Sequence, residues 1–538
     1  MNRRKILSLP AVVALLVMLG ATVAYGIGNV PVIGGFKFKI PEKLTQPKVM
    51  ELREQAEKLV REQSEMFWRT WIFGEPSNQA ALYDQYPDLF TKDSIAKVKN
   101  ARKVVQNPDW QKALEYFQHY LEAEYLSKST AMLWDIYYDL ESQEKVLVNG
   151  ELVPYRDLEK YLSQAKTPEE RAKLAAEEYR IYRLLNDVVL KRELEMSHRL
   201  VKDLGYDNYL QLAVEYKMID LDHMTALAEE FLTKTEDQYL ALFDEVSPIP
   251  RDQFHRSDIL FVLGARDWDE YFSKEAMVPA LKKTMAGLGI NVDAQKNLLM
   301  HTEELPKKNP RAVCFPIVVP TDVRISIKPR GGKDDYSALF HEMGHAEHFL
   351  NAETKYWEFQ QLGSNAVTEG YAYLFEGLIE NPDWLKTYTN LKGDDLKKYS
   401  RHALFTNLYM MRRYMAKMLY EIRLHKGEKD PQKIYQELMS RAYGFQLTDD
   451  ESLRYLSDVD PLLYSADYTQ AFFIQAMLEQ TLEKKFGKNW WKNKKAGQFL
   501  KDLYAFGNRL SGTEWAEVLG YPGISAKALT DKIARASK

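Results

Sequence analysis

Residues Phe340–His348 read FHEMGHAEH, and within them His341, Glu342 and His345 form a HExxH sequence. Two histidines four residues apart share one face of an α-helix, so both imidazoles can reach a single zinc ion. Glu342, beside the first, can reach a water on that ion. The chain has ten histidines in 538 residues, a frequency at which roughly 0.01–0.02 chance matches are expected. The competing reading is an ordinary amphipathic helix that happens to carry two histidines. Residues downstream weigh against it.

A structural zinc site takes four protein ligands, often cysteines, whereas a hydrolytic site takes three and leaves the fourth position to water. Cys314 is the one cysteine, so a cysteine-rich site is excluded and the third ligand is expected to be Glu, Asp or His. Glu369, in SNAVTEGYAYLFE, is the best placed. It lies 24 residues beyond His345, room to end one helix, cross a loop and return along a second. Ser364 or Asn365 can cap that second helix. Glu376 follows Glu369 by seven residues and faces the same way, as does Tyr373. Glu376 is expected either to accept from the other ring nitrogen of a ligand histidine or to be an ordinary helix carboxylate. The Asp334–Asp335 pair suits the start of the first helix. His348, one turn past His345, reads as a residue at the rim of the site, where it could touch substrate, or as one that supports the ligands from behind. In such an arrangement Glu342 takes a proton from the attacking water and returns one to the leaving amine. The developing oxyanion needs a neutral donor, and Tyr464 and Tyr468 in YSADYTQAFF share a helical face. With 33 tyrosines in the chain, that pair alone is not specific.

The net charge of −4 gives no electrostatic case for nucleic acid, which calls for a basic face. A lone cysteine excludes an intrachain disulfide without fixing the compartment. Arg3, Arg4 and Lys5 precede an apolar run from Ile6 to about Val23, the pattern of a signal peptide or, if uncleaved, of an N-terminal membrane anchor. Residues 1–27 are therefore expected to direct export to a periplasmic or extracellular location. Membrane attachment through residues 6–27 stays open.

Helical periodicity dominates from about Glu42. Leu52, Ala56, Leu59, Val60 and Met66 recur at helix spacing, and further helices read over Gln111–Tyr138, Pro168–Asp187, Tyr209–Leu242, Lys274–Leu288, Leu408–Leu424, Pro431–Tyr443 and Tyr468–Lys485. Asn149–Gly150 marks a hairpin between KVLV and ELVP. RAVCFPIVV and TDVRISIK read as two short strands just before the zinc helix, with an edge to which an extended peptide could add. Gly331–Gly332–Lys333 lacks the spacing of a phosphate loop. In KKFGKNWWKNKK the two tryptophans are expected to pack inward.

These residues resemble the gluzincin peptidases, specifically the peptidyl-dipeptidase A (angiotensin-converting enzyme) family and its thimet-type oligopeptidase relatives. The likeness runs through VCFP (Val313–Pro316), VRISIK (Val323–Lys328), DDYSALFHEMGHAEHF, Glu369, Tyr468–Phe473 and KAGQFLKDLYAFGNRLSGTEWAEVLG (Lys495–Gly520), scattered over residues 310–525. The resemblance implies a mainly α, large bilobed helical metallopeptidase with a deep central channel and a small β-sheet beside the HExxH helix. Residues 28–538 would form a single peptidase domain, with an N-terminal helical part over about 40–305 and a zinc-site part over about 306–530. It also implies one zinc per chain, short peptides as substrates, and Tyr468 as the residue that stabilises the tetrahedral intermediate. Glu376 matches the second carboxylate of the thimet-type relatives.

The departures from that family are specific. Phe315 stands where the dipeptidases have a histidine, SLRYLSDVDPLLY contains no histidine, and Asp467 replaces the chloride-binding arginine before Tyr468. Chloride dependence is therefore not expected. The reading is a zinc-dependent oligopeptidase or peptidyl-dipeptidase-like enzyme. The alternatives are a carboxypeptidase, with Arg324, Lys328, Arg412 and Arg413 as candidates for the substrate carboxylate, a catalytically silent peptide-binding protein on the same fold, and a structural membrane-anchored helical protein. Oligomeric state has no signal in the sequence.

Overall fold

A computed structural model describes residues 47–264 and 266–536; the expected leader at 1–27 lies outside the described residues. The protein is mainly α-helical with two small sheets. No helix among the described residues is long and apolar enough to cross a membrane.

Local signals in the chain account for much of this. Strands β1 (Lys145–Val148) and β2 (Glu151–Pro154) pair antiparallel around Asn149 and Gly150, whose φ of 52° and 85° suit the tight hairpin those residues favour. The pattern over Tyr209–Leu242 predicts one long helix, but the structure has three: Tyr209–Lys217, Leu221–Lys234 and Glu236–Val246. Met218 turns left-handed and closes the first, and the Asp220 side chain accepts from the His223 amide to start the second. A methionine carries no stop signal, so the periodicity runs through the break. Trp490 and Trp491 are fully buried, as their apolar bulk requires.

The second sheet flanks the HExxH helix. Strand β4 (Val313–Val318) pairs antiparallel with β5 (Asp322–Ser326), and β5 pairs parallel with a further strand, β3 (Leu298–His301), in the order β3–β5–β4. β4 is thus an edge, but an occupied one. The Cys314 amide donates to Glu342 Oε2 at 2.7 Å and the Pro316 carbonyl accepts from Gln361 Nε2 at 3.1 Å. Pro316 has no N–H, and the Val318 carbonyl takes the Thr321 amide. The expected addition of a peptide along this edge therefore finds few free backbone groups.

Three helices form the frame of the site: the HExxH helix (Lys333–Leu350), the Glu369 helix (Ala366–Glu376) and the tyrosine helix (Tyr464–Phe486). Leu339, Phe340 and Met343 of the first are fully buried, each burial contributing about 1.5–3 kcal/mol. Two glycines set how closely the helices approach. A Cβ on Gly344 would lie 2.6 Å from the Ala372 Cα, and one on Gly370 would lie 2.4 Å from Ile474 Cγ2. Only a residue without a side chain fits either crossing. Apolar clusters draw on both sides of residue 305: Phe67, Trp68 and Ile72 pack on Val313, Phe315 and Ile317 of β4, and Leu52 and Phe117 share a cluster with Trp357 and Phe359.

Candidate metal centre

The HExxH helix starts after Gly331 and Gly332, with Asp334 and Asp335 in its first turn. Asp335 accepts from the Arg330 amide at 2.6 Å. Helix periodicity then sets His341 and His345 on one face, and the Gly344 crossing brings the Glu369 helix against it. Ser364 accepts the Ala366 amide at 3.2 Å where that helix begins, whereas the Asn365 side chain makes no capping bond.

His341, His345 and Glu369 form a cluster able to hold a metal ion. His341 Nε2 and His345 Nε2 lie 3.2 Å apart, and Glu369 Oε2 lies 3.5 Å from the first and 3.7 Å from the second. Tetrahedral coordination with bonds of 2.0–2.1 Å implies ligand–ligand edges of about 3.4 Å, so the triangle fits such an ion. Glu369 Oε2 is buried and has no hydrogen-bond partner. Its nearest polar neighbours are the two imidazole nitrogens, so the charge it needs comes from a protonated His341 or from an ion that displaces that proton.

The atoms that do not face the triangle are engaged. His341 Nδ1 meets Glu376 Oε2 at 2.8 Å, and His345 Nδ1 meets Thr368 Oγ1 at 2.9 Å. Tyr464 donates its hydroxyl to Glu369 Oε1 at 3.1 Å. Each contact directs the remaining ligand atom toward the centre. Thr368 is a partner that the sequence reading missed; its position directly before Glu369 was the available signal. Tyr468 is fully buried among Tyr373, Tyr414 and Tyr464, and its hydroxyl has no partner. Burial raises its pKa well above the ordinary phenol value, so it stays a neutral donor.

Electrostatics divides the two histidines. Burial works against a charge on His341, but the close carboxylates of Glu369 and Glu376 outweigh it and hold the pKa well above the usual imidazole range. Burial pushes His345 down to about 3. The Glu342 carboxyl is raised, chiefly by burial, although the charge on His341 and the Cys314 amide oppose the shift. His348 is not at the rim. It continues the same helical stripe, but Tyr371 and Tyr504 pack against its ring at 5.0 and 6.0 Å and leave it fully buried, with a pKa lowered to about 4. The helix carrying Tyr504 covers the position that the periodicity left open.

His341, His345 and Glu369 therefore enclose one point, with Glu376, Thr368 and Tyr464 each behind the ligand it meets. Two imidazoles and one carboxylate leave a coordination position free, a donor set consistent with metal-dependent hydrolysis in general. The chain matches no known family model and no curated protein.

Proposed function

We propose that the protein hydrolyses peptide bonds in short peptides, as an oligopeptidase or peptidyl-dipeptidase-like enzyme, with one zinc ion held by His341, His345 and Glu369. The observation that carries this reading is the pairing of an open three-ligand set with Glu342 and the unpartnered Tyr468 hydroxyl. When bound, zinc would acidify a water and polarise the scissile carbonyl. Glu342, aligned by the Cys314 amide, accepts a proton from the attacking water and delivers it to the leaving amine. Tyr468 donates to the oxygen on which charge develops. Tyr464 and Thr368 hold their ligand partners in orientation. A deep channel that admits short peptides, and export through residues 1–27, belong to the same proposal.

The test is mass spectrometry of products from a library of 5–15-residue peptides incubated with zinc-loaded protein. Cuts that depend on zinc support hydrolysis, and their distance from each terminus separates internal, dipeptidyl and single-residue cleavage. Stoichiometric zinc with no cuts would favour a silent peptide-binding protein and end the proposal.

Metal affinity should itself depend on pH. Without metal, His341 keeps its proton well above the ordinary imidazole range, so one proton must leave when the ion binds. Zinc affinity is expected to weaken about tenfold for each unit that the pH falls between about 7 and 5, as measured against a competing chelator. A flat profile, after correction for the chelator's own protonation, would contradict a protonated His341.

A further inference from the structure

The cations that the sequence offered for a substrate carboxylate all have partners within the protein. Arg324 pairs with Asp322 at 2.7 Å and Glu65 at 2.9 Å. Lys328 donates to the Leu305 carbonyl at 3.2 Å. Arg412 spends its guanidinium on the carbonyls of Leu232, Arg441 and Ala442, and Arg413 pairs with Asp458. Each thus has a protein partner, although Arg413 Nη1 is buried without one and Lys328 meets a carbonyl and no carboxylate.

Arg311 differs. Its backbone is fixed, with the amide donating to Asn309 Oδ1 at 3.0 Å and the carbonyl accepting from Trp71 Nε1 at 3.2 Å. The guanidinium, half-buried, has no hydrogen bond or ion pair among the described residues. Burial lowers its pKa, and the acidic groups that oppose the shift are Glu342 and Glu159. Its place in the chain agrees with that surrounding. Arg311 precedes by three residues the Cys314 whose amide meets Glu342, a span of about 10 Å of extended chain. An arginine anchored through its backbone thus stands close in the chain to the strand residue that holds Glu342, with no counter-ion in contact. A structural arginine in such a place would be paired, because a partly desolvated charge is costly alone.

Resting on the hydrolytic reading above, we infer that Arg311 recognises a carboxylate of the peptide substrate, within about two to three residues of the bond that is cut. The planar fork of a guanidinium matches a carboxylate with two parallel hydrogen bonds. That carboxylate can come from a free C-terminus or from an Asp or Glu side chain, and the two sources predict different specificity.

The experiment uses one peptide in three forms: free C-terminal acid, C-terminal amide, and amide with Asp replacing the neutral residue that follows the scissile bond. Wild type should prefer one carboxylate-bearing form over the plain amide by about 10- to 100-fold in kcat/KM. Preference for the free acid assigns the C-terminus, and preference for the Asp amide assigns the side chain. In Arg311→Gln the ratio should fall below about threefold, with Arg311→Lys between, since an ammonium keeps the charge but not the fork. An Arg311→Gln ratio equal to that of wild type, or no preference in wild type, overturns the inference. Calorimetric binding of the three peptides to zinc-loaded Glu342→Gln protein, with and without Arg311→Gln, separates the two claims. Discrimination that needs Arg311 in binding, with no cleavage by wild type, keeps the carboxylate site and removes the hydrolytic reading. Cleavage without Arg311-dependent discrimination does the reverse.

Discussion

Glu342→Gln is expected to keep stoichiometric zinc and to lose about 100- to 10,000-fold in kcat, the span that a positioned general base contributes. The two halves of this result have separate causes. Glu342 is outside the triangle of His341 Nε2, His345 Nε2 and Glu369 Oε2, so removing its charge takes away no ligand. Glutamine keeps an oxygen for the Cys314 amide that now donates to Glu342 Oε2 at 2.7 Å, so β4 keeps its place beside the helix. What disappears is a group able to take a proton. Metal analysis beside steady-state kinetics on the zinc-dependent cuts would check both halves. Retention of more than a tenth of wild-type kcat would remove Glu342 from the role of base, and loss of zinc would mean that the ligand set is wrong.

The parts of this centre that sequence made visible are those written in local spacing. His341, Glu342 and His345 lie within one turn and a fraction, Glu369 and Glu376 repeat at helix intervals, and Tyr464 and Tyr468 repeat at four. Periodicity, caps and turns likewise give the helix Pro431–Tyr443 to the residue and the hairpin at Asn149–Gly150. What could not be read depends on tertiary approach. β3 has four residues and exists because β5 pairs with it. His348 fits the stripe of metal-facing residues, and only the arrival of Tyr371 and Tyr504 removes it. Arg311 carries no local mark in the sequence, because what sets it apart is a missing partner in the folded chain. Gly344 and Gly370 gave no hint that each is a helix crossing.

Asp467 is the sharpest example of that tertiary dependence, and it carries the second large effect. In the sequence it is an acidic residue where the resembling dipeptidases have arginine. In the structure it is buried and forms an ion pair with buried Lys217, the last residue of the helix Tyr209–Lys217. Its other oxygen accepts from Ser364 Oγ at 2.7 Å, the same hydroxyl that receives the Ala366 amide at the start of the Glu369 helix. The Lys217 ammonium also lies 4.7 Å from the centre of the Tyr464 ring. Three elements that must stay in register for the site (the tyrosine helix, the start of the Glu369 helix and the wall behind Tyr464) thus meet on one pair of charges. Lys217→Met keeps most of the volume but leaves Asp467 charged in a dry interior, with Ser364 as its remaining donor. Removing one partner of a buried pair costs about 3–5 kcal/mol, so a marked loss of stability in chemical denaturation is expected. Adding Asp467→Asn should recover more than half of it, because the amide needs no counter-ion and still accepts from Ser364. If the double variant is no more stable than Lys217→Met, the pair is not what holds this junction. If stability returns while zinc affinity and kcat remain low, the charges themselves, beyond their packing, position Glu369 and the tyrosines.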